Sequence, residues 1–159
     1  LLMPIIRYPA GDRAMWVEPE TGINRKFVLL GRSDESARIG PMTLYVKDIR
    51  DILGRFWETF GIVNFQMSIE HRDKRDSLVL RIVSSLQKSS LQSCSAGIVA
   101  EICRQRPMYR DLVAGEKINP VVIEWIDEKD LIINPRTGKL RAVIDNRMQC
   151  LGKSATEQF

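Results

Sequence analysis

The apolar residues of this chain follow two spacings that alternate along its length. Val46, Ile49, Ile52, Leu53, Phe56 and Trp57 recur at helical intervals in YVKDIRDILGRFWETF, which predicts a helix over 45–60. NFQMSIEHR and SLVLRIVSS then alternate apolar and polar residues, as half-buried strands do, and the charged HRDKRD between them reads as a hairpin loop. SLQSCSAGIVAEICRQR returns to the helical spacing, with Ile98, Val99, Ile102 and Cys103 on one side. Pro107 ends or breaks that helix, and MYRDLV reads as a further helical turn. INPVVIEWID is a strand, and DLIINP and LRAVIDN flank a turn at Thr137-Gly138.

Upstream the pattern is extended only. PIIRY and RAMWV are broken by PAGD, and RKFVLLG is a short strand closed by Gly31. Two or three strands with no helix are marginal alone, so this piece is expected to belong to a larger body. The polar GRSDES interrupts the pattern and marks a domain boundary, followed by a polar loop. The order after it predicts an α+β fold: a small antiparallel or mixed sheet with two main helices on one face, preceded by a few strands of a larger domain.

The 159 residues suffice for one domain with a core. No apolar run approaches the roughly 18 residues of a membrane-spanning helix, so no membrane partner is expected. LLMPIIRYPAGDR lacks the basic start and long apolar core of a signal peptide, and a first residue of Leu1 suggests a fragment or trimmed chain. Cys94, Cys103 and Cys150 form no CxxC pair, and His71 is the one histidine, so a Cys/His zinc site and any other bound metal are not expected. A histidine-dependent nucleophile would have to use His71, at a charged hairpin tip. Unpaired cysteines fit a reducing cytoplasm. The net charge of +4 favours phosphate-bearing partners without distinguishing nucleic acid from nucleotide.

Two Gly-Lys pairs stand near the C-terminus. Around Gly152-Lys153, LGKS invites a phosphate-loop reading, but the required earlier glycine is Arg147 and no apolar helix follows. Lys153 reads as a solvated tail lysine. RNA recognition by a sheet needs stacking aromatics, whereas VVIEW and LVLRIV are mainly aliphatic, so nucleic acid is not expected. Asp12, after Gly11, reads either as a plain turn aspartate or as a carboxylate offered to the paired hydroxyls of a ribose. Arg32 and Asp34 sit in a polar turn, and INPRTGKLRAVIDN holds Lys139 out on a loop behind Gly138.

Individually these signals are weak, but their order is specific: Arg-Tyr-x-x-Gly-Asp, then Gly-Arg-x-Asp, then Pro-Arg-Thr-Gly-Lys-x-Arg. That set resembles the C-terminal portion of the adenylate-forming ligase superfamily, nearest the phenylacetate-CoA ligase branch with its coenzyme F390 synthetase relatives. GRSDE and GKLRAVIDNR carry the resemblance furthest. It implies that 1–33 are terminal strands of the large ATP-binding domain, 34–150 the mobile C-terminal domain, and 151–159 a tail.

The resemblance further implies a reaction in which a carboxylic acid and ATP give an acyl-adenylate and pyrophosphate, after which the acyl group passes to a thiol of CoA or a carrier protein. Asp12 would hold the ribose of AMP, Arg32 would contact the nucleotide, Asp34 would be the hinge, and Lys139 the catalytic cation of adenylation. The partners implied are the large N-terminal domain, the acid, ATP with Mg2+, and the thiol. The isolated chain would bind no cofactor and would be inactive, because the phosphate loop lies elsewhere. Ala10 stands where the family has threonine, and Pro41 and Met42 depart from the turn that lines the thiol's path, which leaves the acceptor open. The competing expectation is a non-catalytic α+β module for small-molecule sensing or interaction.

Overall fold

The computed structural model describes residues 12–17, 25–32, 35–87, 91 and 94–148. In chain order the elements are β1 (Asp12–Trp16), β2 (Phe27–Arg32), β3 (Ser36–Ile39), β4 (Met42–Tyr45), α1 (Val46–Leu53), β5 (Ile62–Arg72) and β6 (Arg75–Ser84). There follow α2 (Ser95–Gln105), α3 (Pro107–Ala114), β7 (Val122–Ile126) and β8 (Val143–Asp145). β1 pairs with β2 and β3 with β4, both antiparallel, and the main sheet has the order β7-β6-β5-β8. That sheet is mixed: β5 and β6 are antiparallel, while β7 and β8 run parallel to their neighbours. The architecture is α+β.

Alternation on β5 and β6 builds the core directly. Phe65 faces Ile82, Met67 faces Leu80 and Ile69 faces Leu78, and all six are buried. Ile49, Ile52 and Leu53 of α1, Ile98 and Ile102 of α2, and Tyr109 of α3 join the same cluster, so the helices cover one face of the sheet. Ala37, Ile39, Met42 and Leu44 extend it from β3 and β4. Burying each large side chain contributes about 2 kcal/mol, which makes this shared cluster the main source of stability.

Several local expectations are refined. The segment expected as a polar loop before α1 is the β3–β4 hairpin, because Ala37, Ile39, Met42 and Leu44 alternate inward. The first helix stops at Leu53, not at 60. Gly54 caps it, and Arg55 and Phe56 donate to the carbonyls three residues back, which tightens the chain into turns. Phe56 and Phe60 still stack, with ring centroids 5.1 Å apart. The β5–β6 loop contracts to Asp73-Lys74, both at positive φ, and the flanking charged residues belong to the strands. Pro107 starts a new helix after the non-helical Arg106, where its missing N–H is harmless. Arg106 pairs with Asp48 at 2.6 Å, which ties this break to α1. The last strand extends beyond a terminal hairpin: β8 leaves it and adds to the edge of β5. No helix among the described residues is long and apolar enough to cross a membrane.

Candidate functional site

Lys139 stands on a short hairpin whose arms meet at an antiparallel bridge between Ile133 and Leu140. Asn134 donates its N–H to the Lys139 carbonyl at 2.7 Å, and Gly138 donates back to the Asn134 carbonyl at 2.8 Å. The Asn134 side chain accepts from Arg136 N–H at 3.0 Å, turning the chain after Pro135. Gly138 has φ of +66°, and no atom lies within 4 Å of where its Cβ would stand. Its glycine therefore serves the left-handed turn. Lys139 itself is exposed.

The hairpin forms one wall of an open cleft of about 530 Å³. Asn134, Thr137, Lys139 and Arg141 line it, together with Glu35, one residue beyond the expected hinge. Among the described residues, no carboxylate lies within ion-pair distance of Arg136, Lys139 or Arg141. Arg55, Arg72, Arg75 and Arg104, by contrast, each have an acidic partner. Three cations on one turn, none with an ion-pair partner among the described residues, make a positive surface suited to a polyanion.

A buried amide holds this turn against the sheet. Gln66, on β5, is fully buried. Its Nε2 donates to the carbonyls of Ile132 at 2.7 Å and Arg141 at 2.8 Å. Its Oε1 accepts from Ile132 N–H at 3.0 Å and from Arg81 at 3.3 Å. Arg81 also donates to the Asp130 carbonyl at 2.9 Å. Both arms of the Lys139 hairpin are thus bonded to one side chain. Sequence reasoning missed Gln66, since alternation assigns it to the outward face; a polar residue between Phe65 and Met67 was the one available signal.

A second cluster secures the opposite end. Asp76 Oδ2 accepts from Gly40 N–H at 2.9 Å and from Arg147 at 3.2 Å, and its Oδ1 lies 3.1 Å from His71 Nδ1. Burial opposes ionisation of Asp76, but the bonds from Gly40, His71 and Arg147 outweigh it and hold the carboxyl below its ordinary range. Arg147 also grips Asp145, so the VIDNR stretch ends in a clamp between β8 and β6. His71 is engaged here as a partner of Asp76.

Asp12 opens β1 and Arg32 closes β2, and the two are paired residues directly across that ladder. The register between them brings the two expected nucleotide residues to the same end of one hairpin. Asp34, Ala10 and Lys153 lie outside the described residues. Among the described residues, no three His, Cys, Asp or Glu side chains gather as a metal site.

This α+β fold recurs in a solved CoA ligase. 2-Hydroxyisobutyryl-CoA ligase in the postadenylation state, in complex with 2-HIB-AMP, matches with a TM-score of 0.53 and 18% identity, over 91% of this chain and 30% of that chain. A domain of phenylacetate-coenzyme A ligase from Bacteroides vulgatus ATCC 8482 matches with a TM-score of 0.46 and 16% identity, over 72% of this chain and 95% of that chain. The chain spans about a third of the length of the 2-hydroxyisobutyryl-CoA ligase, and the resemblance drawn from the motifs is met at the level of the fold. No family model and no curated protein matches the sequence.

Proposed function

We propose that this chain is the mobile C-terminal domain of an ATP-dependent acyl-adenylate-forming ligase, together with the strands that lead into it. The enzyme would join a carboxylic acid to AMP, release pyrophosphate, and pass the acyl group to the thiol of CoA or a carrier protein. The observation that carries this reading is Lys139: exposed, without an acidic partner among the described residues, and held on a left-handed glycine turn at the wall of a cleft.

The chemistry calls for such a cation. Attack of a carboxylate on the α-phosphate brings two anions together and builds charge in the transition state. An ammonium there offsets that charge and orients both reactants. On a domain that rotates about Asp34, Lys139 can be delivered for adenylation and withdrawn before thiol transfer. Asp12 would accept from the ribose hydroxyls of AMP and Arg32 would contact the nucleotide. Their direct pairing across β1 and β2 fits a shared ligand. Mg2+ would enter with ATP. The large N-terminal domain supplies the phosphate loop and the acyl pocket, so the chain alone is expected to be inactive, and the enzyme would work in the cytoplasm.

The test is Lys139→Ala in the enzyme complete with its large domain. Pyrophosphate exchange, which reports adenylation, is expected to fall about a hundredfold, equivalent to ~3 kcal/mol. Transfer from pre-formed acyl-adenylate to thiol is expected to change little, and Lys153→Ala to leave both steps unchanged. Equal losses in both half-reactions would end the reading. Micromolar binding of ATP by the chain alone would favour a sensing module instead.

A further inference from the structure

The position of Lys139 depends on a residue far from it in sequence. We infer that Gln66 is the positioning residue of the Lys139 hairpin, an inference that rests on the catalytic reading of Lys139. Gln66 uses all its hydrogen-bonding capacity: two donors and two acceptor sites, each with a partner. Three of those four bonds go to the backbone of Ile132 and Arg141, one on each arm of the hairpin.

The hairpin has little else to fix it. Its own ladder is a single bridge with a further cross-bond from Arg141 N–H to the Ile132 carbonyl at 3.1 Å, and Ile132 and Ile133 are exposed, so apolar burial does not anchor its N-terminal arm. Beyond Gln66, the sheet holds this segment through Met67 N–H to the Ala142 carbonyl at 2.9 Å, on the C-terminal arm only. Arg81 adds a bond to Asp130 ahead of the N-terminal arm, and its contact with Oε1 orients the Gln66 amide. Without the two donors of Gln66, the Arg141 carbonyl loses its bond from β5, and the Ile132 carbonyl keeps only the bond from Arg141 N–H within the hairpin. The N-terminal arm is then held on β5 less firmly, chiefly through its cross-bonds to the C-terminal arm at Ile132 and Asn134. A displacement of about 1 Å at a catalytic group costs on the order of a hundredfold in rate.

The experiment compares Gln66→Leu, Gln66→Glu and Lys139→Ala in the enzyme complete with its large domain. Leu removes all four bonds. Glu keeps the shape and the acceptors while removing both donors, and it stands in should Leu prevent folding. Each variant is measured for pyrophosphate exchange, for thiol transfer from pre-formed acyl-adenylate, and for amide hydrogen exchange at Asn134 and Gly138. Those two amides bond only within the hairpin, so they report its order without touching Gln66. The expected result is a fall in pyrophosphate exchange of about tenfold to a hundredfold, thiol transfer within about threefold, and faster exchange at both amides. A residue that merely stabilised the fold would lower both half-reactions together.

Unchanged exchange at Asn134 and Gly138 in both Gln66 variants would overturn the inference, as would equal loss of both half-reactions beside a selective Lys139→Ala. If Lys139→Ala itself showed no selectivity, the catalytic reading would fail. The amide exchange would then still decide whether Gln66 positions the hairpin.

Discussion

Gly40 donates its backbone N–H to Asp76 across 36 positions of sequence, tying the β3–β4 turn to the tip of the β5–β6 hairpin. Arg147 reaches the same carboxylate oxygen from beyond β8. One side chain thereby gathers three separate stretches of chain.

Asp76→Asn is expected to destabilise the chain by about 2 kcal/mol at pH 7, the scale of charge-assisted hydrogen bonds in a mostly buried site. The Asp76 pKa in the fold is lowered from its ordinary 3.8. Its stabilisation is therefore complete above that value and fades as pH falls through it towards the folded pKa. Urea unfolding of the two proteins from pH 7 to pH 2 should show the gap closing below about pH 4. A constant gap across that range would contradict the assignment.

The glycines at positive φ should differ in cost. At Gly138 an added Cβ meets nothing, so Gly138→Ala carries only the left-handed penalty, about 1 kcal/mol. At Gly40 the Cβ would stand 2.9 Å from Cγ2 of the buried Ile118, which adds overpacking to the same penalty. Gly40→Ala is expected to cost about 3 kcal/mol. Equal midpoints of chemical unfolding for the two variants would refute this ordering.

Limited digestion with a low-specificity protease should respect the proposed boundary at Asp34. Cleavage between Gly31 and Gly40 is expected first, ahead of any cut in the body that follows. The stretch from Tyr45 to Asn146 should persist as a band on a gel. Early cuts between Val121 and Asp127 would place the boundary elsewhere.

The sequence by itself determined the local elements and the ordered motifs. Alternation in NFQMSIEHR and SLVLRIVSS selected the core face of β5 and β6, and helical spacing selected Ile49, Ile52, Ile98 and Ile102. Gly138 announced a turn because its residue type suits a φ that others avoid. Periodicity reports which face of an element is apolar, relative to that element alone. It cannot report what covers the other face. Gln66 therefore read as outward and polar, and only the docking of the Lys139 hairpin covers it and gives it three of its four hydrogen bonds, the fourth coming from Arg81 on β6. The same limit hid the role of Asp76, whose partners Gly40 and Arg147 lie 36 and 71 positions away. Such contacts follow from the sheet order β7-β6-β5-β8, and that order is fixed by the joint packing of all the apolar faces, which no single stretch of the chain encodes.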